Sequence, residues 1–129
     1  MKVLITGANG FVGRNLQLRL RERKDVEVVC YTREHSSEQL PDFLWNADFV
    51  FHLAGINRPQ DPKEFAAGNI DLTRDLCQAV VAVTRTTGKP IPILYTSSTH
   101  AELGNAYGCS KREAEQVMEV TGRDPLVPV

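Results

Sequence analysis

The sequence has no long apolar run, few cysteines and almost no net charge. No apolar stretch approaches the roughly 20 residues that a membrane-spanning helix needs, so we expect no membrane partner. The 129 residues carry a formal net charge of −1, which gives no basic surface for nucleic acid. The three cysteines are an odd number without metal-site spacing, so they indicate a reduced, cytoplasmic setting and no bound metal.

Internal repeats, linkers and low-complexity tracts are also missing, so one domain over residues 1–129 is predicted. Short apolar runs alternate with helical stretches. Strands are predicted over residues 2–6, 26–31, 48–53 and 91–95, and helices over 10–23, 62–86 and 105–120, with a short helix after Ser36. Gly88 is expected to stop the helix over 62–86. The alternation is typical of an α/β protein with a Rossmann-like, doubly wound parallel sheet.

Such a sheet usually has six or more strands, whereas only four are clear here, with residues 124–129 as the stub of a fifth. We therefore expect a truncated fold. Phe11, Leu16, Leu18 and Leu20 are expected to supply the apolar contacts of the first helix. His52, at the end of the third strand, is interpreted as a packed strand-end residue and not as a base.

A glycine-rich turn, Thr6-Gly7-Ala8-Asn9-Gly10-Phe11-Val12-Gly13, joins the first strand to the first helix. Its G-x-x-G-x-x-G spacing is a variant of the dinucleotide fingerprint. Gly7 permits the tight turn, Gly10 lets backbone amides approach a pyrophosphate, and Gly13 lets the helix pack closely on the strand. The alternative is a turn without a ligand, but its position after the first strand favours binding at the helix N-terminus.

The end of the second strand predicts which nucleotide is bound. A NAD site usually has an Asp or Glu there for the ribose hydroxyls, whereas this strand ends Tyr31-Thr32-Arg33. An arginine binds a 2′-phosphate that a carboxylate would repel. The sequence therefore favours NADP(H) over NAD(H), read by Arg33. Arg14 is either a second positive charge for the phosphate or an ordinary surface residue.

Tyr107 and Lys111 are four residues apart on the last predicted helix, so they share one face. A nearby ammonium favours the ionised form of a phenol, which can then exchange a proton with a carbinol or carbonyl oxygen. Lys111 can also donate hydrogen bonds to the nicotinamide ribose. Ser98 follows the fourth strand, where its hydroxyl could hydrogen-bond the reacting oxygen. A surface Tyr/Lys pair is the alternative, but the preceding glycine turn favours a catalytic set.

Together these motifs, with His52-Leu53-Ala54-Gly55, resemble the extended short-chain dehydrogenase/reductase (NAD-dependent epimerase/dehydratase) family. The stretch over residues 52–59, followed by 63–65 and 68–69, is similar to bacterial capsular-polysaccharide reductases that reduce a UDP-linked 4-keto-6-deoxy-N-acetylhexosamine with NADPH. The resemblance covers only the first part of such an enzyme and lacks its C-terminal substrate-binding part.

This resemblance implies an NADP(H)-dependent oxidoreductase or epimerase-type domain acting on a nucleotide-linked sugar, with 4-keto reduction in capsular or surface-polysaccharide biosynthesis as the expected reaction. It assigns backbone contacts with the pyrophosphate to Phe11 and Val12, and the ribose and nicotinamide side of the cofactor to Leu53, Ala54 and Gly55. Ser98, Tyr107 and Lys111 would form the catalytic set, with Tyr107 as the proton donor in reduction and Thr99 as a weaker alternative to Ser98. Tyr107 and Lys111 would also bind the cofactor. It further implies a homodimer through the two long helices. The alternative is a non-catalytic dinucleotide-binding module or an inactive, truncated paralogue.

Overall fold

The fold is seen in a computed structural model that describes residues 1–8, 10–32, 35–53, 71–95 and 106–129. Within these ranges the side chains of Phe11, Ser37 and residues 106–111 lie outside the description. The helices and strands follow the predicted alternation. They are β1 (Lys2–Thr6), α1 (Phe11–Arg21), β2 (Glu27–Tyr31), a 3₁₀ turn (Ser37–Gln39), α2 (Leu40–Leu44), β3 (Phe49–His52), α3 (Leu72–Thr87), β4 (Ile93–Tyr95) and α4 (Ala106–Thr121).

The four strands form one sheet in the order β2-β1-β3-β4, and every pairing is parallel. Parallel strands need crossover connections, and helices covering both faces explain why the strands are nearly all apolar. The predicted Rossmann-like α/β fold is confirmed. None of the helices in the described ranges is long and apolar enough to cross a membrane.

Two apolar clusters lie on opposite faces of the sheet, because alternate residues of a strand point to opposite sides. Leu4 and Val50 belong to the larger cluster, with side chains of α2, α3 and α4. Val3 and Ile5 belong to the smaller one, against which Leu16 and Leu20 of α1 pack. The prediction for Leu18 is wrong, since this side chain is 67% exposed. Two residues along a helix turn about 200° from Leu16, so Leu18 faces away from the sheet.

The carboxyl-terminal tail lies beside the start of β4, but residues 124–129, predicted as the stub of a fifth strand, form no strand. The backbone amides of Ile91 and Ile93 donate to the carbonyls of Leu126 and Pro128 at 2.9 and 2.8 Å. Both partners advance by two residues in the same direction, which is a parallel arrangement. Val127 between them is fully buried. The tail therefore adds two hydrogen bonds at the edge of the sheet without becoming a strand, because its prolines limit how many amides it can offer.

Asp48 fastens the amino-terminal edge of the sheet. Its carboxylate accepts a hydrogen bond from the backbone amide of Lys2 at 2.7 Å and pairs with the ammonium of Lys89. The Lys89 contact, followed by the Lys2 amide, lowers the pKa of Asp48. Next to Lys89, Gly88 adopts a left-handed φ of 71° and ends α3, as predicted. These contacts leave the opposite, carboxyl-terminal edge of the sheet for the site.

Candidate dinucleotide-binding site

The four strands end in register at the carboxyl-terminal edge of the sheet. Thr6, the last residue of β1, is paired with Tyr31 on one side and His52 on the other, and His52 is paired with Tyr95. Ligands of open α/β sheets bind outside this edge. The row Tyr31–Thr6–His52–Tyr95 is therefore the base of the candidate site.

The glycine turn rises from the middle of this row. Gly7 has a φ of 70°, the left-handed conformation that favours glycine, and its carbonyl accepts a hydrogen bond from the amide of Gly10 at 3.1 Å. Gly10 is the N-cap of α1 and provides no side-chain cap. The first turn of α1 also carries no acidic residue. The positive end of this helix is thus left uncompensated by its own side chains, which suits an anion.

Gly13 brings α1 into direct contact with the turn. A Cβ added at Gly13 would lie 2.2 Å from the Gly7 carbonyl oxygen and 2.8 Å from the Ala8 Cα. The amide group of Gln17, one turn further along, donates to the Ala8 carbonyl at 2.7 Å. Helix and turn are therefore locked together, which is the close packing predicted for Gly13.

A buried polar group lies beneath the turn. The Oγ1 of Thr6 is 2.6 Å from Nδ1 of His52, and Nε2 of the same ring is 2.7 Å from Oγ1 of Thr73 in α3. All three residues are fully buried. The Tyr95 ring stacks on the imidazole with centroids 5.5 Å apart. His52 is thus a packed strand-end residue, as predicted, but its two hydroxyl partners were not predicted because Thr73 is distant in sequence.

At the end of β2, Tyr31, His35 and Phe43 form an aromatic cluster. His35 stacks on Tyr31 with centroids 5.6 Å apart and meets Phe43 edge-on at 4.9 Å. The Nδ1 of His35 accepts a hydrogen bond from the Thr32 amide at 3.0 Å. Burial, with a smaller contribution from the Asp75 charge, raises the pKa of Tyr31. Sequence reasoning missed this cluster because nothing in the spacing of the three residues indicates that they meet.

Residues 3–126 match the model of the NAD dependent epimerase/dehydratase family. The chain belongs to the NAD-dependent epimerase/dehydratase family. It is also 56% identical, over all of its length, to a UDP-2-acetamido-2,6-beta-L-arabino-hexul-4-ose reductase of Pseudomonas aeruginosa, of which it covers 34%. The chain spans about a third of the length of the curated relatives it matches: 34% of this reductase and 31% of a GDP-6-deoxy-D-talose 4-dehydrogenase of Aggregatibacter actinomycetemcomitans.

Solved structures of other proteins share this fold. The capsular polysaccharide assembling protein CapF from Staphylococcus aureus is 37% identical, with a TM-score of 0.75. The match covers 100% of this chain and 34% of the CapF chain. A UDP-glucuronic acid 4-epimerase from Bacillus cereus, in complex with NAD, has a TM-score of 0.82 at 20% identity. This match covers 99% of the present chain and 54% of the epimerase chain. At that low identity the epimerase supports the fold alone.

The family site predicted from sequence is only partly within the described residues. Gly7, Gly10 and Gly13 form the turn, Val12 is 58% exposed at the start of α1, and the amide of Leu53 donates to the Thr6 carbonyl at 3.2 Å. Tyr107 and Lys111 both belong to α4, one turn apart along its backbone. The remaining predicted residues, Arg33, Ala54, Gly55 and Ser98, lie outside the described residues.

Proposed function

We propose that this chain is the NADP(H)-binding part of an oxidoreductase that reduces the 4-keto group of a nucleotide-linked sugar. The observation that carries the proposal is the glycine turn, pressed against α1 at the carboxyl-terminal edge of β1. The 56% identity to a nucleotide-sugar reductase supports the substrate class. The proposed domain covers residues 1–129, and surface-polysaccharide biosynthesis in the cytoplasm is its proposed setting.

The glycine turn fits a pyrophosphate. Gly10 puts no side chain over the start of α1, and Gly13 leaves no room for one between helix and turn. The first amides of a helix have no intrahelical acceptor, so those of Phe11, Val12 and Gly13 are available to phosphate oxygens. Gly7 provides the left-handed turn that leads from β1 to these amides. The bound nicotinamide supplies the hydride.

Arg33 is the proposed reader of the 2′-phosphate. The end of β2 is adjacent to the glycine turn, because Tyr31 is paired with Thr6 in the sheet. Residues 31–32 supply no carboxylate at that end of the strand. A guanidinium binds a phosphate through two parallel hydrogen bonds. Arg14, exposed on the first turn of α1, is a candidate second cation for the same phosphate. NADP(H) is therefore the proposed cofactor over NAD(H).

The proton chemistry is assigned to Ser98, Tyr107 and Lys111. Tyr107 and Lys111 are one turn apart on α4, a spacing that puts both on one helix face. The ammonium of Lys111 lowers the cost of ionising the Tyr107 phenol, which gives its proton to the sugar oxygen during reduction. Ser98 hydrogen-bonds the same oxygen and steadies it. Lys111 also holds the ribose, and Leu53, Ala54 and Gly55 line the nicotinamide side.

The proposal is tested by thermal-shift titration of the chain with NADPH, NADH and a UDP-sugar, each alone. A ligand at about 100 times its Kd stabilises the folded state by roughly 2.7 kcal/mol. For a domain of this size that raises Tm by a few degrees. We expect a larger rise with NADPH than with NADH. A cooperative melt that neither dinucleotide shifts would reject the proposed function, and equal shifts would reject only the preference for NADP(H).

A homodimer is proposed through the face that α3 and α4 share. Between these helices lies an open groove of about 820 Å³. Val81, Val117 and Val120 give it an apolar lining, while Arg74 and Arg85 on α3 and Glu113 on α4 add charges of opposite sign. In a two-fold dimer each surface meets a copy of itself, so an arginine of one protomer can face the glutamate of its partner. We therefore propose that a second copy of this chain fills the groove between α3 and α4.

Val120→Asp is expected to convert the dimer to a monomer, because it places a charge in the apolar centre of the proposed interface. Val120 is 60% exposed in the single chain, so the variant should keep its fold. Leu18→Asp on α1, where the side chain is 67% exposed and outside the groove, is the matched control. Light scattering measures the mass of each protein. A monomer in the unsubstituted chain would reject the proposed interface.

A further inference from the structure

The buried group of Thr6, His52 and Thr73 joins three separate elements of the fold. Thr6 ends β1, His52 ends β3, and Thr73 lies in the first turn of α3. The imidazole bridges the two hydroxyls with contacts of 2.6 and 2.7 Å. Each of the three residues has a relative exposure of 0%. Losing one of these contacts would leave a polar atom without that partner inside the protein, which is costly.

The imidazole holds both partners at once, one at each ring nitrogen. A neutral imidazole has one donor nitrogen and one acceptor nitrogen. With a hydroxyl at each nitrogen, it accepts from one threonine and donates to the other, so the two hydrogen bonds polarise each other. The stacked Tyr95 ring restricts rotation of the imidazole further. His52 is therefore a rigid, directional link between Thr6 and Thr73.

This link differs in kind from the apolar contacts of α3. Leu76, Val80 and Val83 pack this helix against the sheet through apolar contacts. Apolar packing is not directional, so it fixes the distance between helix and sheet better than their register. The hydrogen bond from Thr73 to His52 is directional and is made at the end of α3 closest to the site. It sets where the start of α3 stands relative to β1.

Thr6 transmits this position to the glycine turn. Its side chain is held by His52 and its carbonyl by the amide of Leu53 at 3.2 Å. The next residue is Gly7, whose carbonyl both accepts from the Gly10 amide and contacts Gly13. A Cβ at Gly13 would lie 2.2 Å from that carbonyl oxygen, so the turn and α1 are in close contact. A small displacement of Thr6 therefore moves the amides at the start of α1.

We infer that His52 and Thr73 are positioning residues of the dinucleotide site. Through Thr6 they hold the glycine turn in the shape that binds the pyrophosphate. Neither residue is required to touch the cofactor. The inference rests on the proposed function, since it names residues that act on the proposed site. If the link is absent, the turn must be ordered when the ligand binds, and this cost appears as weaker affinity.

The test compares Thr73→Val, Thr73→Ser and Thr84→Val. Valine keeps the shape of threonine but has no hydroxyl, whereas serine keeps the hydroxyl and loses a methyl group. Thr84 is the matched control, because it is fully buried in the same helix but donates to the Val81 carbonyl at 3.0 Å and not to His52. Nicotinamide fluorescence gives the Kd for NADPH, and a thermal melt gives the stability of each variant.

Thr73→Val is expected to raise the Kd for NADPH by about tenfold, the effect of losing one buried hydrogen bond. Thr73→Ser and Thr84→Val should stay within about twofold of the unsubstituted chain, although both melt at lower temperature. Affinity would then follow the hydroxyl at position 73, while stability follows packing. A merely structural role for Thr73 could not produce this separation.

Two results would overturn the inference. An unchanged Kd in Thr73→Val, with normal binding by the unsubstituted chain, rejects it and leaves the proposed function standing. If the unsubstituted chain binds neither NADPH nor NADH, the proposed function falls and the inference falls with it. Should Thr73→Val melt below the assay temperature, Thr6→Val and Thr6→Ser make the same comparison at the other end of the link. An equal Kd for NADPH in these two variants would show that the hydroxyl has no effect on affinity, and would reject the inference.

Discussion

Gly13→Ala should lower the free energy of unfolding by about 3 kcal/mol or more, at the upper end of overpacking effects. The added Cβ would lie 2.2 Å from the Gly7 carbonyl oxygen, 2.8 Å from the Ala8 Cα and 3.0 Å from the Ala8 carbonyl carbon. All three are backbone atoms, so no side chain can rotate to make room. Either α1 moves away from β1 or the turn opens. Both changes displace the amides of α1, and dinucleotide binding should be lost as well.

Gly10→Ala is the matched control for this prediction. Its Cβ would meet the same Gly7 oxygen, but at 3.3 Å, and the φ of −76° at Gly10 is accessible to alanine. We expect a loss of only about 1 kcal/mol, typical of a tolerated substitution. Denaturant unfolding measures both variants against the unsubstituted chain. Equal stabilities for the two variants would mean that α1 does not pack on the turn as described.

Tyr107→Phe is the prediction with the largest expected effect on chemistry. Removing the phenolic hydroxyl removes the proposed proton donor, and general acid catalysis of this kind contributes about 10²- to 10⁴-fold. Turnover of NADPH with a UDP-linked 4-keto sugar should fall by that factor. The Kd for NADPH should change little, because the glycine turn and the start of α1 are left intact.

Tyr31→Phe provides the control for the loss of a phenol. Its hydroxyl is 3.4 Å from the His35 carbonyl at the end of β2, so the same chemical change is made on a different element from the proposed proton donor. Turnover in this variant should be close to that of the unsubstituted chain. A chain that binds NADPH but shows no turnover before substitution would instead support the non-catalytic dinucleotide-binding module.

The elements of the fold were predictable because their signals are local. β1 is built on the apolar run Val3-Leu4-Ile5 and was predicted with its observed bounds. The stop at Gly88 depends on one left-handed glycine. The error at Leu18 came from treating each apolar residue of α1 as a contact, although Leu16 and Leu20 share a helix face from which Leu18 is turned away.

The candidate site was predictable only where the chain itself brings its residues together. The glycine turn is contiguous, and Tyr107 and Lys111 share a helix, so spacing indicated both. The link from His52 to Thr73 crosses 21 residues and depends on how α3 packs on the sheet. The stacking of Tyr31, His35 and Phe43 likewise depends on the path of the chain after β2. Sequence spacing carries no signal for such tertiary contacts.

The strand order also determines when the sheet can form as the chain is synthesised. β1 is made first, and its first partner β2 follows within about one helix. Its other edge stays open until β3 is made, since Leu4 pairs with Val50, 46 residues later. Pairing across such a separation is slow, and an unpaired apolar edge is prone to aggregation while it waits. During synthesis its most buried strand is therefore paired on one side only, and the interval until residue 52 emerges from the ribosome is the period of greatest risk.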